Sequence, residues 1–191
     1  MNKDINILLV GVGGQGTILA SRIIAAAAQA NGKQVKLSEV HGMAQRGGSV
    51  VTHLRIGEKI YSPLIEQGQA DIILSFEQLE AWRWLSYLKD GGTVIVNSQV
   101  INPAPVILGF QKYPENILGR LKENVSETIA VDAAALAREA GNERTVNVVL
   151  LGFLAGKLDF DLSCWLEALE CTVPGKVLEP NKKAFCLGYE K

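Results

Sequence analysis

The sequence predicts an α/β protein: a Rossmann-like three-layer fold whose mostly parallel sheet carries an inserted antiparallel hairpin. Three observations predict it. An apolar run from Ile5 to Val10 passes through Gly11-Val12-Gly13-Gly14-Gln15-Gly16 into an Ala- and Ile-rich helical run from Thr17 to Ala28, the first half of a βαβ unit. Apolar strand-like runs then alternate with helical ones along the chain, the pattern of a sheet covered on both faces. Finally, Val50 to Ile56 alternates Val50, Thr52, Leu54 and Ile56 against Val51, His53 and Arg55. That reads as a half-buried strand, with His53 as a structural residue, turning at Gly57-Glu58 into Lys59-Ile60-Tyr61.

The first element carries the richest chemistry. Its glycines stand at G-x-G-x-x-G spacing, with Gly14 as a fourth. Gly11 permits a tight turn off the strand, Gly13 lets backbone N–H groups approach an anion, and Gly16 lets the helix pack close to the sheet. The first helical turn directs free N–H groups and a positive dipole end at whatever binds there. The same glycines also suit a bare strand-to-helix turn, and the spacing leaves both readings open.

Asn31-Gly32 stops the helix, and Val35 to Val40 forms a second strand. Glu39 follows Gly16 by 23 residues, near where a dinucleotide site places a carboxylate for ribose hydroxyls; a solvated strand-end acid fits equally well. The loop His41-Gly42-Met43-Ala44-Gln45-Arg46-Gly47-Gly48-Ser49 offers an imidazole and a cationic tip. A guanidinium beside two glycines suits bidentate capture of a carboxylate or phosphate, whereas His41 alone also reads as a hydrogen-bonded loop residue.

Further along, Asp71 to Phe76 is a buried parallel strand. Glu77 to Leu88 follows as a helix with Leu79, Trp82, Leu85 and Leu88 on one face, ended by Gly91-Gly92. Thr93 to Asn97 is the next strand, placing Ser75 and Asn97 at the carboxyl edge beside the glycine loop. Asn102-Pro103-Ala104-Pro105 marks an irregular excursion too short to divide domains, so residues 1–191 read as one domain. A helix over Pro114 to Glu123, a strand over Thr128 to Val131 and a helix capped by Asp132 follow. Thr145 to Lys157 is apolar nearly all round, which buries it in the core or against another chain; Gly152 and Gly156 admit a close neighbour. Ser163 reads as the cap of a further helix, and Pro180 to Leu187 as a last one.

Composition narrows the function classes. Lys plus Arg number 19 and Asp plus Glu 20, for a net charge of −1, which argues against a nucleic-acid binder. No export signal and no apolar stretch near the 20 or so residues of a membrane span is visible, so a cytoplasmic protein is expected. Cys164, Cys171 and Cys186 lack metal-ligand spacing and read as buried reduced thiols, so no metal site is expected. No G-x-S-x-G, H-E-x-x-H or P-loop occurs, leaving a ligand- or partner-facing edge without a catalytic set of its own.

Several stretches together resemble a known family. Gly11 to Gly16, Glu39-Val40-His41-Gly42-Met43-Ala44-Gln45-Arg46-Gly47-Gly48-Ser49-Val50 and Tyr61-Ser62-Pro63-Leu64-Ile65 look like the gamma-type subunit of 2-oxoacid:ferredoxin oxidoreductases. The small (beta) subunits of the indolepyruvate:ferredoxin enzymes are the nearest match. Glu77-Gln78-Leu79-Glu80-Ala81, Gly92 to Asn97, Asn147 to Gly152 and Asn181 to Phe185 extend the likeness over nearly the whole chain. The resemblance implies a subunit, inactive alone, of a hetero-oligomer. Thiamine diphosphate, Mg2+ and [4Fe-4S] clusters would sit on a large partner subunit, which decarboxylates an aryl pyruvate, reduces ferredoxin and forms an acyl-CoA. No catalytic residue is then expected on this chain alone. His41, Gln45, Arg46, Gly47 and Gly48 would form a loop facing the shared active site, with Arg46 orienting a carboxylate or a CoA phosphate. Gly11, Gly13, Gly14, Gly16 and Glu39 would keep a nucleotide-like site, empty or holding part of CoA. The competing reading is a stand-alone NAD(P)-binding reductase or sensor.

Overall fold

A computed structural model describes residues 4–42 and 47–191. Among these the sheet has six strands in the order β2-β3-β1-β4-β5-β6. They are β1 (Ile5–Val12), β2 (Gln34–His41), β3 (Ser49–Gly57), β4 (Ala70–Ser75), β5 (Leu88–Asn97) and β6 (Glu127–Val131). Strands β4, β5 and β6 run parallel to β1, whereas β3 runs against both β1 and β2. The antiparallel insertion expected from the sequence is therefore present, but its partners differ. β3 pairs with β1 from Ile5↔Ile56 to Val12↔Ser49 and with β2 from Gln34↔Gly57 to His41↔Val50; Lys59-Ile60-Tyr61 forms no strand. With neighbours on both edges, α1 over one face and the segment around Ile65 with the Tyr87 ring over the other, β3 is buried nearly throughout, not half-buried.

Eight α-helices lie among the described residues: α1 (Thr17–Ala30), α2 (Gln78–Arg83), α3 (Ala104–Ile107), α4 (Ile117–Asn124), α5 (Ala133–Glu139), α6 (Val146–Ala155), α7 (Leu162–Thr172) and α8 (Leu178–Tyr189). One face of the sheet, with Ile7, Leu9, Leu54, Ile56, Leu74 and Ile95, packs beneath α1, α5, α6, α7 and α8. The opposite face, with Leu8, Val10, Val51, Ile73, Val94 and Val96, packs beneath α2 and α4. Each large aliphatic side chain so buried contributes about 1.5–3 kcal/mol.

The all-apolar helix α6 is accounted for within this chain. It lies between α5 and α8, and at Gly152 a Cβ would stand 2.7 Å from Tyr189 N and 2.8 Å from Gly188 C, so backbone meets backbone. Gly156 has no such neighbour. Other local expectations shift. The helix after β4 stops at Arg83, a 3-10 turn covers Leu85–Tyr87, and Gly91-Gly92 lie inside β5 instead of ending a helix. The excursion after β5 contains the short helix α3. Asp161, not Ser163, precedes the first residue of α7. Cys171 is exposed and Cys164 and Cys186 are half-buried, because α7 and α8 turn those positions outward from the core. No helix among the described residues is long and apolar enough to cross a membrane.

Candidate functional site

The chain crosses from one face to the other at β1 and β4. The helix after β1 covers the face beneath α1, α5, α6, α7 and α8 (the thick face) and the helix after β4 the face beneath α2 and α4 (the thin face), so a crevice opens at their carboxyl ends. A cleft of about 450 Å3 lies beside it, on the β2-β3 side of β1, lined by the glycine loop (Gly13, Gly14 and Gly16), Ile18, Glu39 and His41. The sequence-predicted glycine loop, strand-end acid and imidazole thus share one wall. Glu39 and His41 come to it on alternate residues of β2, which places both side chains on the α1 face. Gln45 and Arg46 lie outside the described residues.

Two of the glycines have conformational or steric reasons visible here. Gly16 is in the left-handed region at φ 82, and a Cβ on it would stand 2.6 Å from Asn147 Nδ2, which donates to Gly16 O at 3.2 Å. Gly11 lies under the side chain of Gln15, whose Oε1 a Cβ would approach to 2.9 Å. Gln15 folds back over the strand ends. It accepts from Val12 N at 2.7 Å and donates to Phe76 O at 2.9 Å and Gln99 Oε1 at 3.0 Å. Asn147 and Gln15 are functional supports that sequence reasoning missed. Both stand in recognisable motif runs, but the long-range partners Phe76 O and Gly16 O are 61 and 131 residues away, beyond any local signal.

Gly13 plays a different part from the one its spacing suggests. Its N–H donates to Gly48 O at 2.8 Å, and its carbonyl accepts from Gly47 N at 3.3 Å. Gly13 therefore clasps the base of the loop that follows β2 and does not present a free donor to an anion. The first turn of α1 has no side-chain cap, so its leading N–H groups remain the polar feature of the cleft on that side. Glu39 faces them as a half-buried carboxylate, while His41 Nδ1 lies 3.4 Å from Gly42 O.

Two further carboxylates, Glu77 and Glu80, are buried at the start of α2 at 1% and 2% exposure. Glu77 caps the helix by accepting from Glu80 N at 3.0 Å, and it also accepts from Ile101 N at 3.2 Å and Tyr113 Oη at 2.5 Å. Burial, and then the bond to Glu77, push the Tyr113 phenol well above its ordinary range. Glu80 accepts from Ser49 Oγ at 2.5 Å and from Arg83 at 2.8 Å. Acidic residues in a first helical turn are an ordinary surface feature, so the sequence alone conceals that these two are buried. His53, on β3, is buried, and its Nδ1 accepts from Ile65 N at 3.2 Å.

As a whole the arrangement clasps loops together and offers one partly apolar cleft. Among the described residues no three His, Cys, Asp or Glu side chains are grouped to hold a metal ion.

Comparison with known proteins gives a consistent picture. Residues 6–191 match the family model described as pyruvate ferredoxin/flavodoxin oxidoreductase. The indolepyruvate oxidoreductase subunit IorB of Pyrococcus horikoshii is 44% identical over 98% of this chain and 96% of its own. The pyruvate/ketoisovalerate oxidoreductases common subunit gamma of Thermococcus kodakarensis is 31% identical over 94% of this chain and 92% of its own. Among solved structures, the keto/oxoacid ferredoxin oxidoreductase gamma subunit of Geobacter sulfurreducens superposes with a TM-score of 0.72 at 28% identity, over 97% of this chain and 96% of that one.

Proposed function

Because this chain belongs to the pyruvate ferredoxin/flavodoxin oxidoreductase family, we propose that it is the small subunit of a 2-oxoacid:ferredoxin oxidoreductase acting on indolepyruvate or a similar aryl pyruvate. Whole-length likeness to indolepyruvate oxidoreductase subunits supports the substrate class. The observation that carries the site is the convergence of the glycine loop, Glu39, His41 and the Gly47-Gly48 loop base at the carboxyl edge. On this reading residues 1–191 act as one gamma-type domain in a cytoplasmic hetero-oligomer, and the large partner subunit holds thiamine diphosphate, Mg2+ and [4Fe-4S] clusters and delivers electrons to ferredoxin. Thiamine diphosphate supplies the carbanion stabilisation that decarboxylation needs. The donor set of this chain does not fit a cluster, since its three cysteines lie on α7 and α8 with one exposed.

The role of this chain is then to complete a wall. His41, Gln45, Arg46, Gly47 and Gly48 face the shared cavity, where Arg46 pairs with a substrate carboxylate or a CoA phosphate. Gly11, Gly13, Gly14, Gly16 and Glu39 shape the adjoining cleft, for which part of CoA is the proposed occupant. The stand-alone NAD(P) reading is the weaker one, because the Gly13 N–H that would face a pyrophosphate is engaged by Gly48 O.

The test is co-expression with the large subunit. The complex should reduce dye in a 2-oxoacid-dependent manner, and the isolated small chain should be inert. Arg46→Ala in the complex should cost about 1.5–3 kcal/mol in kcat/KM, the range for a charge-assisted contact. Full activity of the isolated chain, or micromolar binding of NAD or NADP to it by calorimetry, would overturn the proposal.

A further inference from the structure

We propose that Glu80 is a positioning residue: it acts through Ser49 to hold the cleft wall in its working geometry. This rests on the reading of the carboxyl edge as substrate-facing, given above. The path is short and continuous. Glu80 Oε2 accepts from Ser49 Oγ at 2.5 Å, and Ser49 opens β3. The residue before it, Gly48, accepts from Gly13 N at 2.8 Å in the glycine loop. The residue after it, Val50, pairs directly with His41 of β2. One bond from α2 therefore sets the point where the glycine loop, the loop after β2 and the His41 wall meet.

A stability role alone explains this arrangement poorly. The Glu80 side chain is 3% exposed, and removing a carboxylate from water carries a penalty of several kcal/mol. Its cationic partner Arg83 sits at i+3 with a side chain 45% exposed, so solvent weakens that pair. An apolar residue at position 80 would seal α2 against the sheet at lower cost. What an apolar residue lacks is directional hold on the Ser49 hydroxyl. A charge-assisted bond to a fixed acceptor defines position within a few tenths of an ångström, which active-site walls need. Glu77, one turn earlier, makes the analogous hold on Ile101 and Tyr113, away from the cleft, and so serves as an internal contrast.

The experiment uses the co-expressed complex and a double-mutant cycle between E80Q and H41A, with S49A and S49T beside it. E80Q keeps shape and loses the charge. We expect E80Q and S49A each to lower kcat/KM for the aryl pyruvate about tenfold, with the melting temperature within a few degrees of the parent. S49T, which retains the hydroxyl, should restore most of the loss. In the H41A background E80Q should add less than twofold, because both act on one wall. A costly H41A with a silent or fully additive E80Q overturns the positioning role alone. A silent H41A overturns the substrate-facing reading, and this proposal with it. If E80Q lowers activity only in proportion to lost folded complex, the residue is structural and the proposal is likewise overturned.

Discussion

On the thick face of the sheet, α1, α5, α6, α7 and α8 meet Ile7, Leu9, Leu54, Leu74 and Ile95 through apolar contact, down to the backbone approach of Gly152 and Gly188. On the thin face, α2 and α4 cover a smaller apolar set, and the buried polar groups Glu77, Glu80 and His53 are threaded among it. Apolar burial is strong and non-directional: it holds the layers together without saying where a loop should stand. The polar groups contribute less net energy each, yet every one grips a segment that has no regular structure of its own: the base of the loop after β2, the excursion after β5, and the chain around Ile65. The division is not complete, since Asn147 of α6 on the thick face also donates to Gly16 O of the glycine loop. The difference teaches that stability rests mainly on apolar contact and loop geometry on buried polar groups, with the Glu77, Glu80 and His53 grips on the thin face.

Breaking the thick face should have the largest effect. In Gly152→Leu the new side chain begins where Gly188 C and Tyr189 N already stand, so α6 and α8 must separate along their length. The helix-propensity gain over glycine is about 1 kcal/mol, while overpacking of this kind costs on the order of 4 kcal/mol or more, so the clash wins. Urea denaturation should find the midpoint collapsed, or the protein insoluble. A midpoint close to the parent's would show that the layer is not close-packed there.

Glu77→Ala sharpens the other side of the contrast. It removes the cap of α2 and leaves Ile101 N and Tyr113 Oη without their acceptor. A lost cap costs about 1 kcal/mol and each of the two part-buried donors, at the low end of the range for an unmatched group, about 1 kcal/mol, for a total of about 3 kcal/mol. The distinctive expectation is local. Amide exchange at Ile101 should accelerate well beyond that of Leu9 or Ile95, whose side chains pack on the other face. Uniform acceleration across the sheet would mean that the two faces fail together and the division does not hold.

How much of this was legible in the sequence follows the same division. The β1–glycine loop–α1 unit, the parallel strands and the buried helix at 146–155 could be read because periodicity and glycine spacing are local properties. The neighbours of β3 could not. The strand is antiparallel to two others, and the choice between Lys59-Ile60-Tyr61 and β1 is made by a distant register that runs from Ile5↔Ile56 to Val12↔Ser49. The geometry of the site was legible in part: Glu39, His41, Gly13, Gly14 and Gly16 line one cleft, while Gly11 lies under Gln15 outside it. The glycine spacing casts Gly13 as an anion donor, because spacing cannot reveal that Gly48 O reaches its N–H first. Glu77 and Glu80 look like first-turn surface acids until α2 is seen pressed against the face of the sheet over β1, β4 and β5.

His53 provides the smallest test and the most selective one. Burial lowers its pKa below the ordinary value near 6.5, and its Nδ1 is the acceptor for Ile65 N–H. The unfolded chain therefore binds the proton at higher pH than the folded chain does. Stability from keeping this imidazole neutral is fully present above about pH 6.5; it falls as pH drops below that value toward the folded pKa. His53→Gln retains an acceptor for Ile65 N–H and does not titrate. Urea midpoints measured from pH 7.5 down to pH 5.5 should fall for the parent and fall less for the variant, the two converging at the upper end apart from a constant offset. Parallel lines would mean that protonation at position 53 is not linked to folding, and the hold on the Ile65 segment would then be steric and not polar. That outcome would also move this corner of the thin face to the apolar side of the comparison.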